Sequence, residues 1–322
     1  MNAAPALLGY AATVGWVAPR LMLRGGWPYR SPVLAATVWT ALAASFSLCV
    51  ALSALHLATP GAHLHGILYS CSAALGGSPP GTATMERLGQ AASAVVVIAH
   101  AASFTFHALR ARVARNRHRR ILDKVGRPSA GLRATVVEHE VPAAYCLPGL
   151  RPRIVVSSGA VERLSRAEID AVVEHERAHI ACRHHLILVA VESFATVFRG
   201  LPLARHLREQ VPVLLEMAAD DRALRHSAHG VLATAMFEMA SGGAAPRGAL
   251  SAGGPTALVR LRRLLAPSRC AHPAFRGIVA AAAVVIPLLP LLLACPPGLT
   301  EIPLPTMPEA LSGPASGIPV LS

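Results

Sequence analysis

Lysine is all but missing from this sequence. Lys124 is the only one, so the 30 basic residues are nearly all arginine. An S-x-x-K catalytic pair is therefore excluded, because Ile121 stands three residues before the sole lysine. Paired cysteines are missing too. Cys49, Cys71, Cys146, Cys182, Cys270 and Cys295 stand singly, with no C-x-x-C, which argues against a zinc ribbon or a dithiol redox motif. Acidic residues are few, 17 against 30 basic, and the net charge is +13. Nucleic-acid binding is the obvious reading of such a charge. The arginines cluster beside apolar runs, however, and no DNA-reading helix is recognisable near them. Retention on the inner face of a membrane is the better reading, with no direct nucleic-acid contact.

Charge of any sign is scarce, at 15% of residues, while 53% are hydrophobic. That is the composition of an integral membrane protein with one substantial loop. Four apolar runs predict spans at 3–19, 33–57, 90–109 and 277–295. The first is an alternative signal peptide, but it has no basic residues ahead of it and Arg20, Arg24 and Arg30 behind it. It therefore reads as a retained span with its N-terminus outside. His100 and His107 lie in the third run and are expected against another helix and at the inner interface. Arg110 to Arg127 reads as a cytoplasmic collar. Pro287 and Pro290 predict a kinked fourth span.

The arginine pattern places the 20–30 loop and 110–276 inside, and the 58–88 loop and both termini outside. Residues 1–127 thus form a membrane domain, 128–265 a cytoplasmic domain, and 296–322 a disordered extracytoplasmic tail. In this topology Cys71 and Cys295 share the outer side, and their pairing stays open. Cys182 reads as a packed thiol.

Within the cytoplasmic part, Thr135–Val141 and Arg153–Ser157 read as strands, with the Pro148-Gly149 turn between them. Ser165-Arg166-Ala167-Glu168 fits a capping box, and a helix over about 166–184 follows. Leu186–Phe198 suits a buried or interfacial helix. A further helix after Pro212 carries Glu216 and Asp220. Ser241–Pro255 reads as a mobile loop, and Ala257–Leu265 as a basic amphipathic helix at the membrane surface.

The chemistry sits in His175-Glu176-Arg177-Ala178-His179, an H-E-x-x-H. On a helix the two histidines are one turn apart on one face and can hold a single Zn²⁺. Glu176 between them can serve as the base for a hydrolytic water. A catalytic zinc needs a third protein ligand and one open position. Glu216, in Glu216-Met217-Ala218-Ala219-Asp220, can be that ligand, and Asp220 can fix the tautomer of a ligand histidine. His184 and His185 fall off the ligand face of a continuous helix and read as surface residues. Arg222, His226 and His229 are candidates for stabilising an oxyanion, and spacing does not choose among them.

The H-E-R-A-H and E-M-A-A-D motifs resemble those of gluzincin metallopeptidases. The text around them, Tyr145-Cys146-Leu147-Pro148-Gly149 and Pro152-Arg153-Ile154-Val155-Val156-Ser157-Ser158-Gly159, resembles the BlaR/MecR-type membrane metallopeptidases, with HtpX-like proteases as more distant relatives. The resemblance is strongest over roughly 143–225. It implies a mainly α protein: four transmembrane helices, with a cytoplasmic α+β gluzincin-like zinc metalloprotease domain between the third and the fourth. It also implies one Zn²⁺ per chain on His175, His179 and Glu216, with Glu176 as base and Asp220 orienting His175. Its expected partners are the lipid membrane and a cytoplasmic or membrane-proximal protein substrate, such as a transcriptional repressor cleaved in regulated signalling. A homodimer is compatible with all of this. Members with a penicillin-binding sensor carry it after the last span, where this sequence has a short tail without S-x-x-K. A receptor with a non-catalytic metal site is the alternative function. Pairing of substrate with the 153–157 strand would give main-chain recognition.

Overall fold

The computed structural model describes residues 3–57, 82–241, 255–266 and 272–294. The Cys71–Cys295 pairing, the 58–81 part of the outer loop, nearly all of the Ser241–Pro255 loop and the 296–322 tail lie outside those residues.

The protein is mainly helical, with one small sheet. Helix α1 (Ala4–Arg24) has a π turn at Thr13–Val17, and α2 (Trp27–Arg30) is a single turn. They lead to α3 (Pro32–Leu57) and α4 (Thr82–Val125). The sheet follows, as β1 (Arg127–Ser129), β2 (Ala134–Val137), β3 (Ala144–Leu147) and β4 (Arg153–Ser157). Then come α5 (Ser158–Arg163), α6 (Arg166–Ala181), α7 (His184–Val197), α8 (Pro202–Ala223), α9 (His229–Ser241), α10 (Pro255–Leu265) and α11 (Pro273–Ala294).

Among the described residues, four helical stretches are long and apolar enough to cross a membrane: α1, α3, α4 and α11. The bent pair α6–α7 passes the same test only if counted as one span, across a 56° bend. The arginine collar is no separate segment. It continues α4, whose 44 residues make a rod about 66 Å long. The span histidines both meet neighbouring helices. His100 Nε2 is 3.0 Å from Ser47 Oγ on α3, and His107 Nε2 is 2.9 Å from Thr196 Oγ1 on α7. In α11, Pro290 has no N–H to offer the carbonyl of Ile286. Ser45 Oγ and Tyr10 OH donate to that carbonyl instead, at 2.8 and 3.2 Å.

The sheet order is β1-β2-β4-β3, with β2 and β4 parallel and the outer pairs antiparallel. This corrects two strand expectations. The strand read at 135–141 ends at Val137, and β3 intervenes before the Pro148-Gly149 turn, where Gly149 has φ +149. Strand β4 is also interior, paired on both sides, so it has no free edge for a substrate. The edge strand beside it is β3. Gly159, at the start of α5, lies so close to the Glu140 carbonyl that a Cβ there would sit 1.9 Å from the oxygen.

Helix α6 packs Ile169, Val172 and Val173 against Ile154 and Val156 of the sheet. Its capping box is formed: Glu168 N–H donates to Ser165 Oγ and Ser165 N–H to Glu168 Oε2. Helix α8 begins at Pro202, and Pro212 is internal, so the start expected after Pro212 is corrected. Proline at the first helical position costs no hydrogen bond, which makes Pro202 the natural start. Leu203, Leu207, Val211 and Leu214 form a fully buried stripe in the core shared with Trp39 and Phe46 of α3. Glu216 lies about 200° around the helix from Leu214, on the face turned towards α6. One helix therefore joins the core of the apolar spans to the candidate site.

Candidate metal centre

Helix α6 brings His175 and His179 side by side, both buried. Their Nε2 atoms are 3.1 Å apart. Glu216 reaches across from α8, with Oε2 3.4 Å from His175 Nε2 and Oε1 3.4 Å from His179 Nε2. Among the described residues this is the one group placed to hold a metal ion. The spacing fits zinc. Tetrahedral bonds of about 2.0–2.2 Å put ligand atoms roughly 3.3–3.6 Å apart.

A histidine that binds metal through Nε2 keeps its proton on Nδ1 and needs an acceptor there. Asp220 Oδ1 lies 3.0 Å from His175 Nδ1. The atoms are out of line for a well-formed hydrogen bond, so the contact is chiefly electrostatic. For His179 the partner is His184, whose Nδ1 is 2.9 Å from His179 Nδ1. This corrects the reading of His184 as a surface residue, since it is 4% exposed. The motif helix stops at Ala181 and does not run to 184. Arg183 is left-handed at φ +51, and the turned chain aims His184 back at the site. Cys182 is exposed at this break, so the packed-thiol expectation is corrected as well.

Sequence reasoning missed Arg260. Its helix, α10, reads from sequence as a basic amphipathic helix at the membrane surface. The guanidinium is instead 3% exposed, whereas Leu258 and Leu265 face outward. Arg260 donates from Nε and Nη2 to Asp220 at 2.9 and 2.6 Å, and Nη1 lies 2.7 Å from Glu216 Oε2. Next to it, Arg263 pairs with Asp221 and donates to the Tyr29 carbonyl in α2. The signal available in sequence was an arginine pair three apart, facing an equally close run of acids at 216, 220 and 221. The oxyanion candidates are placed elsewhere. Arg222, His226 and His229 are exposed and do not line the cavity described below, because they lie past the inward face of α8. Arg222 Nη1 approaches Cys182 Sγ at 3.5 Å instead.

The electrostatics follow from burial and pairing. Burial opposes a charged His175, but Asp220 and Glu216 outweigh it and hold the ring at about 10 in the metal-free state. Burial alone dominates His179 and His184, both pushed down to about 4, so both are neutral near pH 7. A neutral His184 can accept the Nδ1 proton of His179. Burial would raise Glu216, yet His175 and Arg260 bring it to about 2. Burial also raises the Glu176 carboxyl, partly offset by His175. The Cys146 thiol of β3 lies beside Glu176.

Glu176 and the three candidate ligands open on a cavity of about 1290 Å³. Its walls are β3, the collar half of α4, and α7. The triad therefore has protein on one side and open space on the other.

Comparison with known proteins bears on the same region. Residues 108–214 match the sequence model described as Peptidase family M48, a stretch that holds the H-E-x-x-H and stops just short of Glu216. A curated relative, plastoglobule-localized metallopeptidase 48, chloroplastic, from Arabidopsis thaliana, is 35% identical over 83 residues. That match covers 24% of this chain and 24% of the relative. No solved structure matches. The conclusion these matches carry is that the H-E-x-x-H region of this chain is similar to M48 metallopeptidases.

Proposed function

We propose that this protein is an integral membrane zinc-dependent endopeptidase. The observation that carries the reading is the convergence of His175 Nε2, His179 Nε2 and the Glu216 carboxylate at the mouth of a cavity that Glu176 also borders. A site built only for stability would be closed by a fourth protein ligand, and this one opens on space. The likeness to M48 metallopeptidases over 108–214 supports the same reading.

A zinc ion held by His175, His179 and Glu216 would supply Lewis-acid polarisation of the scissile carbonyl. The protein's own groups do the rest. Glu176 takes a proton from the attacking water and passes it to the leaving amine. Asp220 and His184 fix the two histidines so that both Nε2 atoms face inward. Arg260 holds Glu216 and Asp220 in place and balances part of their charge. The unpaired edge of β3 borders the cavity, where an extended substrate would add as a strand.

In this proposal the four apolar helices span the membrane with both termini outside, and the site faces the cytoplasm. The substrate is a cytoplasmic or membrane-proximal protein, and cleavage of a transcriptional repressor in regulated signalling is the role suggested by the resemblance to BlaR/MecR-type proteins.

The test is Glu176→Gln, which keeps size but cannot take the proton. The purified variant should hold zinc like the wild type and lose proteolysis of an unfolded substrate by at least ~10²-fold. Equal cleavage by both proteins, with contaminating protease excluded, would overturn the reading.

A further inference from the structure

The wall that α4 gives the cavity is basic. His107, Arg110, Arg115 and His118 of α4 line it, at spacings that put them on one helix face. Three carboxylates also line the cavity, and all are engaged. Glu216 meets Arg260, Glu192 meets Arg208, and Glu176 sits in the field of His175 and Arg260. Other arginines nearby are taken as well: Arg119 donates to the carbonyls of Leu147, Pro148 and Arg151. Among the described residues, Arg110 and Arg115 have neither a hydrogen-bond nor an ion-pair partner.

Arg115 is half-buried, and Arg112 and Arg119 set further positive charge beside it. Its charge also reaches His185 on α7, whose Nδ1 is buried with no partner. A half-buried guanidinium without a counter-charge and a buried ring nitrogen without a partner both cost free energy. An anionic group in the cavity would give the Arg115 guanidinium its missing counter-charge.

We propose that Arg115, with Arg110, forms a subsite that selects substrates carrying an aspartate or glutamate side chain close to the scissile bond. The proposal rests on the peptidase reading above. A peptide carboxylate is favoured over a lipid headgroup because these residues share one cavity with Glu176 and β3. A chain extended along β3 would present alternate side chains towards or away from α4, within reach of the guanidinium. Arginine is also suited to such a group, since its fork matches a carboxylate in two parallel hydrogen bonds.

The experiment uses the full chain, zinc-loaded, in nanodiscs of phosphatidylcholine. Peptides of one sequence carry Glu, Gln or Lys at successive positions on either side of the cleaved bond. The wild type should cleave one Glu peptide about tenfold or more better than its Gln counterpart, judged by kcat/KM, as expected for a charge-assisted pair. In Arg115→Gln that ratio should fall to about one. Arg115→Glu should turn the preference towards the Lys peptide, an outcome that misfolding cannot produce. Cleavage of Glu and Gln peptides alike by the wild type would overturn the subsite and leave the peptidase intact, whereas no cleavage of any peptide would overturn both. Nanodiscs containing phosphatidylglycerol provide the second arm. If the anionic lipid abolishes the Glu preference of the wild type, the subsite takes headgroups and the proposal is overturned.

Discussion

The Nδ1 atoms of His179 and His184 lie 2.9 Å apart across a helix break. One imidazole thus supports a candidate metal ligand that another would ordinarily leave to a carboxylate or a carbonyl. The partner of His175, by contrast, is the carboxylate of Asp220. The two ligands are therefore held by groups of different charge.

His184 should matter to metal binding although it does not touch the metal. His184→Phe removes the acceptor and keeps a buried ring. Zinc affinity, measured by competition with a chelator, should fall about 10–100-fold, as for other groups that orient a metal ligand. Unchanged affinity would mean that the contact between the two rings is packing alone.

Asp220 and Arg260 should behave as a buried pair. Removing either partner leaves the other charged and unpaired, at a cost of roughly 3–5 kcal/mol. Arg260→Met and Asp220→Ala should each lower the denaturation midpoint of the metal-free protein. The double variant should lose less than the two single losses added together. Additive losses would show that the pair contributes nothing as a pair.

Acid should destabilise the metal-free protein through the same pair. The Asp220 carboxyl is held well below the usual carboxylate range: burial pushes it up, but the Arg260 and His175 contacts more than compensate. A group depressed in the folded state contributes stability above its unfolded value of about 3.9, and that contribution is lost as pH falls through the folded value. Denaturation of the wild type below about pH 4 should therefore be steeper than that of Asp220→Asn. Parallel profiles would remove Asp220 from the account.

Topology can be read with reporters. A fusion after residue 127 should report cytoplasm, and one inserted within 76–81 should report the outside, because the arginines flank the inner ends of the runs. The reverse pattern would put the cavity on the other side of the membrane and rule out a cytoplasmic substrate.

Much of the site could be read from residue spacing. His175 and His179 are four apart on one helix, so their juxtaposition is a property of the helix itself. The capping box at Ser165 and Glu168 is likewise local, and so is the start of α6. The apolar runs of α1, α3, α4 and α11 announced themselves by composition, because a stretch that can cross a membrane needs only length and hydrophobicity. Tertiary structure decided the rest. A single left-handed residue, Arg183, turned His184 inward, and no periodicity argument survives a break of that kind. Arg260 is 40 or more residues from Asp220 and Glu216 in sequence, and only the packing of α10 beside α8 makes the three one charge cluster. The free edge of the sheet was also a tertiary fact. β4 reads as a strand from Ile154, Val155 and Val156, whereas β3 has no β-branched residue, and only the pairing order β1-β2-β4-β3 shows that β3 is the one with a free edge. Spacing within a helix fixes which side chains share a face; which faces meet is set by the long-range burial of Leu203, Leu207 and Val211 against α3, which carries Glu216 to the histidines.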